Sequence, residues 1–453
     1  MRRGWVVVGL ALTLGSASAR ALCPGDCNGD GVVTVNEVVT MVNIALGVLP
    51  ASACPDGDSG DGVGIAEVIA AVQAAVDGCP TPPAPCPSIL VAAGDGTTVL
   101  AGPGLLVQPN GAFAVATAST TVSAGTPSNA RGEVTVHRYG PTGALVGETR
   151  LASRQQVLRA PALARLPNGG GMAVWGEANP RQFESPITRL AVRRFSNDGR
   201  ALGGVALAAR AASGQTFNPA TLAANTSGNA LLAWMALTQD NGGTIFQGQL
   251  REQRSSGLAP TQPLNCFGNP VAVSTGTLLG AVCVAFDVAP AQQIALRAFA
   301  LDQGAVVPLF DFASAGQPFS SLAAAASSDR ILAAWRQPFE SDSSRSRLVA
   351  QVVGLDGTPL VGPIDIAITL QTEAPPAVAL LADGSFAIAH GQTPLLLRRF
   401  AADGRALGDP VVIADSFIDA LALEGDSAGN LVVAWRWRDV LARRVPITGT
   451  ACE

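Results

Sequence analysis

The sequence predicts a mainly β chain: a seven-bladed β-propeller preceded by a small α-helical unit. Three observations predict it. One phrase recurs seven times after residue 88. That region is rich in Gly, Ala and turn signals and shows no long helical pattern. Near the N-terminus, two acidic stretches of twelve residues each run into apolar residues at helical spacing.

The recurring phrase is a turn, a strand ending in an aromatic, a variable loop, a strand ending in Arg-aromatic, an Asp-Gly turn and a short final strand. PALARLPNGGGMAVWGE followed by TRLAVRRFSNDGRALGGVALA is one full copy. The strand-end position runs through Ala116, Trp175, Trp234, Phe286, Trp335, His390 and Trp435, spaced 45 to 59 residues apart. Four strands per copy, seven times over, is the pattern of a propeller, whose blades bury their faces only by stacking around an axis. An open β-solenoid or a pair of sandwiches is the alternative architecture.

A ring of blades must close. The last copy ends at residues 440–447 and lacks a fourth strand, whereas Ser88 to Ala93 precedes the first copy without a blade of its own. This segment is expected to supply the missing outer strand. The pairing would bring Cys86 beside Cys452, and a disulfide closing so long a loop contributes roughly 4 to 5 kcal/mol in the chain-entropy model.

Asp26 to Glu37 (DCNGDGVVTVNE) has the grammar of a calcium loop. Calcium takes six to eight oxygens, supplied from loop positions 1, 3, 5, 7, 9 and 12, with Gly at 6 for the turn. Asp26, Asn28, Asp30, the Val32 carbonyl, Thr34 and Glu37 fill those positions around Gly31. In Asp56 to Glu67 (DGDSGDGVGIAE), Asp56, Asp58 and Glu67 keep positions 1, 3 and 12, but the Asp61-Gly62 pair has slipped by one. That site is expected to be weaker. Between Leu22 and Pro87 there are eight acids and no Lys or Arg, so cations are needed to relieve the self-repulsion.

This pair of loop-helix units, at residues 22–80, resembles a type I dockerin, an EF-hand-type module that plugs secreted proteins into cohesin-bearing scaffolds. The resemblance implies Ca2+ as the bound ion, a cohesin-like or cell-surface protein as partner, and company with plant-wall hydrolases. Partner choice in that family is read at loop positions 10 and 11, here Val35 and Asn36, then Ile65 and Ala66.

Residues 1–21 read as a signal peptide: Arg2 and Arg3, an apolar run from Trp5 to Leu14, then small residues to Ala21. The run is too short to span a bilayer. Export makes disulfides the default for the eight cysteines. Cys23, Cys27, Cys54 and Cys79 bracket the calcium loops and are expected to pair among themselves, and Cys266 with Cys283 inside one repeat. A Pro-rich linker, residues 81–87, separates the small unit from residues 88–453. Without Arg2, Arg3 and Arg20 the chain carries 26 basic and 34 acidic residues, a net charge of −8, which argues against nucleic-acid binding.

Catalytic patterns are scarce. His137 and His390 are the only histidines, too few for a His-rich metal site. His390 holds an aromatic position of the repeat and reads as a packed ring, and His137, beside Arg138, reads as exposed. Glu177 is the only acid two positions after a strand-end residue. Arg138, Arg194 and Arg399 recur with the repeat and read as scaffold. Alternation puts Trp435 and Trp437 on one face and Arg436 and Arg438 on the other, so Trp435 is expected in the core; Trp437 at the rim, where a sugar can stack, is the lesser alternative. The sequence therefore predicts an exported interaction protein whose propeller meets a glycan, a protein or the cell envelope. A glycoside hydrolase built on two carboxylates is the alternative.

Overall fold

The computed structural model describes residues 25–27, 33–50, 53–54, 63–77, 86–95, 98–121, 131–154, 157–178, 186–240, 243–266, 268–286, 294–302, 304–315, 320–339, 344–370 and 373–446. It divides into two compact units, parted between residues 82 and 83, with residues 408–410 excepted.

The first unit is a pair of helices, α1 (Val35–Ala45) and α2 (Ile65–Asp77). Thr34 caps α1 with extended backbone, φ −92° and ψ 162°, and forms a reciprocal capping box with Glu37. Val33, Met41, Ile44, Val63, Ala71 and Ala74 make the core together with Cys54. The pairs Val33/Val63, Met41/Ala71 and Ile44/Ala74 are each thirty positions apart, so one pattern is used twice. Cys27 and Cys54 are joined by a disulfide. Gly25, at φ +92°, lies against α2 where an added Cβ would stand 2.4 Å from the Ala71 Cβ, so only glycine allows this approach.

The second unit is entirely β among its described residues. Strand β1 (Ile89–Ala92) comes first, then a four-stranded sheet of β2 (Thr98–Val107), β3 (Phe113–Thr121), β4 (Arg131–Tyr139) and β5 (Leu145–Arg154). Next are β6 (Val157–Arg165), β7 (Gly171–Ala178), β8 (Ile187–Phe195) and β9 (Ala201–Arg210). The short β10 (Gln215–Phe217) bridges β8 to β12 and so joins this meander to the following one. That meander comprises β11 (Thr221–Ala224), β12 (Ala230–Asp240), β13 (Gly243–Arg254), β14 (Gly257–Leu258) and β15 (Gln262–Leu264).

Three further four-stranded sheets follow in simple order. They are β16 (Val271–Ser274) to β19 (Ala305–Ala315) with β17 (Leu279–Phe286) and β18 (Ile294–Asp302), then β20 (Ser320–Ala326), β21 (Arg330–Pro338), β22 (Arg345–Gly354) and β23 (Pro359–Leu370), then β24 (Ala377–Leu380), β25 (Phe386–His390), β26 (Leu395–Phe400) and β27 (Val411–Ala414). The last strands are β28 (Ala420–Gly425), β29 (Leu431–Arg436) and β30 (Val440–Val445). Every pairing is antiparallel, as hairpin connections require. β1 completes the last sheet by pairing antiparallel with β30, Ile89 opposite Ala442. First strands of successive sheets touch one another in the order β2, β6, β11, β16, β20, β24, β28, and β28 touches β2.

Large side chains from the second strands fill the spaces between sheets: Trp175, Trp234, Trp335 and Trp435 are all 2% exposed or less. Arginines tie sheet to sheet. Arg193, Arg398 and Arg443, on third strands, donate Nη1 to carbonyls on the last strand of the preceding sheet, Leu151 at 2.6 Å, Ile366 at 2.6 Å and Ile413 at 2.7 Å. Arg251 does the same to Ala208. Arg138 and Arg194, singled out from the sequence, cap the Asn197 and Gly228 carbonyls of the following meander.

Cys266, which follows β15, is bonded to Cys283 on β17. The bridge thus joins neighbouring sheets and does not lie within a single repeat, because the cysteine side chains meet where one meander hands over to the next. His137 is also not exposed: only 7% of its surface is open, its ring lying between Thr117 and Glu148. No helix among the described residues is long and apolar enough to cross a membrane.

Candidate functional site

Of the expected calcium ligands, Asp26, Thr34, Glu37 and Glu67 lie among the described residues; Asn28, Asp30, Val32, Asp56 and Asp58 lie outside them. Asp26 and Glu37 are both buried, at 3% and 7% exposure. The Cys27 N–H, one residue after Asp26, donates to Glu37 Oε1 at 3.0 Å. Loop positions 1 and 12 are therefore brought to one place, the closure that a twelve-residue calcium loop needs. Glu37 Oε2 accepts from the Thr34 N–H and hydroxyl, both at 2.8 Å. Glu67 repeats the contact, its Oε2 accepting from the Gly64 N–H at 2.9 Å. Asp26 and Glu37 are buried oxygen donors of the type Ca2+ takes, in a stretch without Lys or Arg. Among the described residues no group of three or more His, Cys, Asp or Glu is arranged to hold a metal ion.

Both helices turn an apolar stripe outward. Val35, Val39, Val42 and Leu46 on and just after α1 are 76, 51, 37 and 72% exposed, and Ile65, Ile69, Val72 and Val76 on α2 are 79, 54, 43 and 78% exposed. The two stripes have identical spacing, thirty positions apart.

Cys86 is disulfide-bonded, and its N–H donates to the Arg444 carbonyl at 3.1 Å beside the β1–β30 pairing. Cys452, its expected partner, lies outside the described residues.

In the β unit, a cavity of about 880 Å³ opens where the starts of β2, β6 and β28 meet the turn after β29. Its volume falls in the roughly 300–1,000 Å³ range of small-ligand sites. Five charged groups line it: Asp95, Arg159, Asp419, Arg436 and Arg438. Trp437 stands at its edge, 44% exposed, with its ring centroid 4.5 Å from that of Phe417. Strand β29 ends at Arg436, so Trp437 lies in the turn beyond it. The turn is fixed by the Trp437 N–H, which donates to the Asp439 carbonyl at 3.2 Å, and by the Gly94 N–H, which donates to Asp439 Oδ1 at 2.8 Å. A second cavity, of about 240 Å³, includes Asn225, Glu252, Arg254 and Thr277 in its wall.

Two buried groups resemble catalytic parts and are structural. His137 Nδ1 lies 2.9 Å from Glu148 Oε1 and Nε2 lies 3.1 Å from Thr117 Oγ1. A carboxylate only accepts, so Nδ1 carries the proton and Nε2 accepts from the Thr117 hydroxyl. This hydroxyl–imidazole–carboxylate order is that of a nucleophilic triad. Thr117 is 3% exposed, however, and no substrate reaches it. Burial holds the His137 pKa below its ordinary value despite Glu148. Glu177, 1% exposed, faces Arg189, with Nε 3.5 Å from Oε2.

No protein-family model and no curated protein matches the chain. Among solved structures, an α-L-arabinanase of Penicillium chrysogenum complexed with arabinobiose is similar over 81% of this chain and 99% of its own, at 12% identity and a TM-score of 0.48. The β-propeller domain of the Trilobed protease of Pyrococcus furiosus is similar over 78% of this chain and 96% of its own, at 11% identity and 0.45. A puromycin-hydrolysing peptidase of Mycobacterium tuberculosis is similar over 78% of this chain, at 15% identity and 0.45. The chain spans about half of that peptidase and of an acylaminoacyl peptidase of Pyrococcus horikoshii, 53% and 52% of their lengths. These proteins differ in activity, and the likeness assigns none to this chain.

Proposed function

We propose that this is an exported interaction protein in which a dockerin-like, calcium-binding module attaches the chain to a protein partner and a seven-bladed β-propeller presents a binding surface. The observation that carries the reading is the duplicated exposed stripe, Val35, Val39, Val42 and Leu46 repeated as Ile65, Ile69, Val72 and Val76. Eight large apolar side chains held out to solvent on two short helices are costly unless something covers them, and contiguous patches of this kind mark contact sites.

Calcium enters as the ion that orders loop and helix together. Asp26, Asn28, Asp30, the Val32 carbonyl, Thr34 and Glu37 would hold it, and Asp56, Asp58 and Glu67 would contribute at the second loop. When bound, the ion neutralises the acidic stretch. Glu37, already capping α1, couples the loop to the helix that carries the stripe. The partner is a cohesin-like or cell-surface protein.

The seven-bladed ring is supported by the cyclic succession of first strands and by β1 completing the sheet of β28 to β30. A Cys86–Cys452 disulfide at that seam would lock the ring. Asp419, a carboxylate of the cavity, is held in two contacts by Arg436 and so serves there as that guanidinium's anchor.

Affinity capture from a secreted-protein fraction tests the module. The chain should retain a protein in calcium and lose it in chelator, and the double variant Val39→Asp, Ile69→Asp should lose it in both. Equal capture in calcium and chelator, or capture unaffected by the double variant, contradicts the proposal.

A further inference from the structure

We infer that the 880 Å³ cavity of the β unit binds a carboxylated saccharide, with a sugar ring on Trp437 and its carboxylate on Arg438. The inference deepens the reading of the β unit as a binding surface and rests on it.

Trp437 is the first support. The four tryptophans of the repeat are 2% exposed or less, whereas Trp437 is 44% exposed at the cavity edge. An indole left in water is costly to keep in one place, yet this one is fixed by Phe417, by its own turn and by the Gly94–Asp439 contact. A preorganised flat ring of this kind receives the C–H face of a pyranose at little entropic expense.

Charge is the second support. The lining holds three guanidinium groups, Arg159, Arg436 and Arg438, against two carboxylates, Asp95 and Asp419, in a chain whose formal net charge is −5. Both carboxylates already accept hydrogen bonds: Asp419 from Arg436, and Asp95 Oδ1 from the Thr98 N–H at 2.6 Å. Arg438 makes no ion pair or side-chain hydrogen bond among the described residues and is exposed beside Trp437. A guanidinium is a planar fork matched to a carboxylate. Thr216 and Asn218 add hydroxyl and amide groups for sugar hydroxyls.

The experiment is calorimetric titration of the intact, oxidised chain in calcium-free buffer, following Trp fluorescence in parallel. The probes are trimers of galacturonate, glucuronate, mannuronate and guluronate, and the methyl ester of each. At least one acid trimer should bind saturably, tenfold or more tighter than its ester, with loss of affinity as salt rises. Trp437→Ala should weaken it at least tenfold. Arg438→Met should weaken the acid at least tenfold and leave the ester unchanged. Both variants should keep the unfolding midpoint of the parent.

Equal binding of acid and ester would overturn the carboxylate assignment while leaving glycan binding by the β unit intact. Binding undiminished in both variants would overturn the site. No binding of any acid or ester would overturn this inference together with the glycan reading of the β unit, and the calcium module would stand or fall separately.

Discussion

Asp419 and Arg436 meet through two parallel contacts, Nε to Oδ1 at 2.8 Å and Nη2 to Oδ2 at 2.9 Å, while Arg436 Nη1 donates to the Leu100 carbonyl at 2.7 Å. One guanidinium therefore joins β29, the entry to β28 and β2. Arg336, also directly after a strand-end Trp, does the equivalent work, donating to the Glu373 and Ala374 carbonyls at 2.7 and 2.6 Å ahead of β24. Arg436→Met should lower stability by about 2 kcal/mol in urea unfolding, the scale of lost hydrogen bonds to a charged group. Asp419→Asn should cost less, because Arg436 keeps its carbonyl.

The third-strand arginines predict a contrast. Arg398→Met removes the contact to the Ile366 carbonyl and should cost about 1.5 to 3 kcal/mol. Arg405→Met, at an exposed turn, should stay within about 0.5 kcal/mol of the parent. Equal losses in the two variants would remove the case for stapling between sheets.

His390 makes stability fall on the acid side. Burial, aided by the nearby Arg398 and Arg336 charges, lowers its pKa from 6.5 to about 4. The unfolded chain then takes up a proton before the folded one does, so the stability this neutral ring contributes is present above about pH 6.5 and lost as pH falls to about 4. Between pH 7 and 4.5 the loss should be on the order of 2 to 3 kcal/mol. His390→Phe, matching the aromatic position of the repeat, should remove that part of the pH dependence in urea unfolding at the two pH values.

Gly94 should act on binding. An added Cβ would stand 2.3 Å from the Arg438 carbonyl oxygen, a backbone atom that cannot yield without moving the Trp437 turn. Gly94→Ala should therefore weaken uronate trimers severalfold in the calorimetric assay, and unchanged affinity would show that the turn does not position the ring.

Much of the β unit was legible because its repeat is a sequence period: the strand-end positions from Ala116 to Trp435 all fall on second strands. The edges were harder. His137 looked exposed because polar neighbours usually mean water, but its partners Thr117 and Glu148 become neighbours only through register. The Cys266–Cys283 bridge crosses between sheets because meander boundaries are not marked in sequence. Alternation alone puts Trp437 on the face of Trp435, and its 44% exposure follows from the end of β29 at Arg436, which the sequence does not mark; the cavity beside it gathers residues from positions 94 to 438 and has no local signature.

Calorimetric titration of calcium into the oxidised chain, with helix content followed in parallel, tests the central claim most directly. The account predicts saturable binding at Asp26 to Glu37 with a gain of helix, both lost in Asp30→Ala. Absence of heat and of any change in helicity would contradict it and would make the two loops turns held by disulfides.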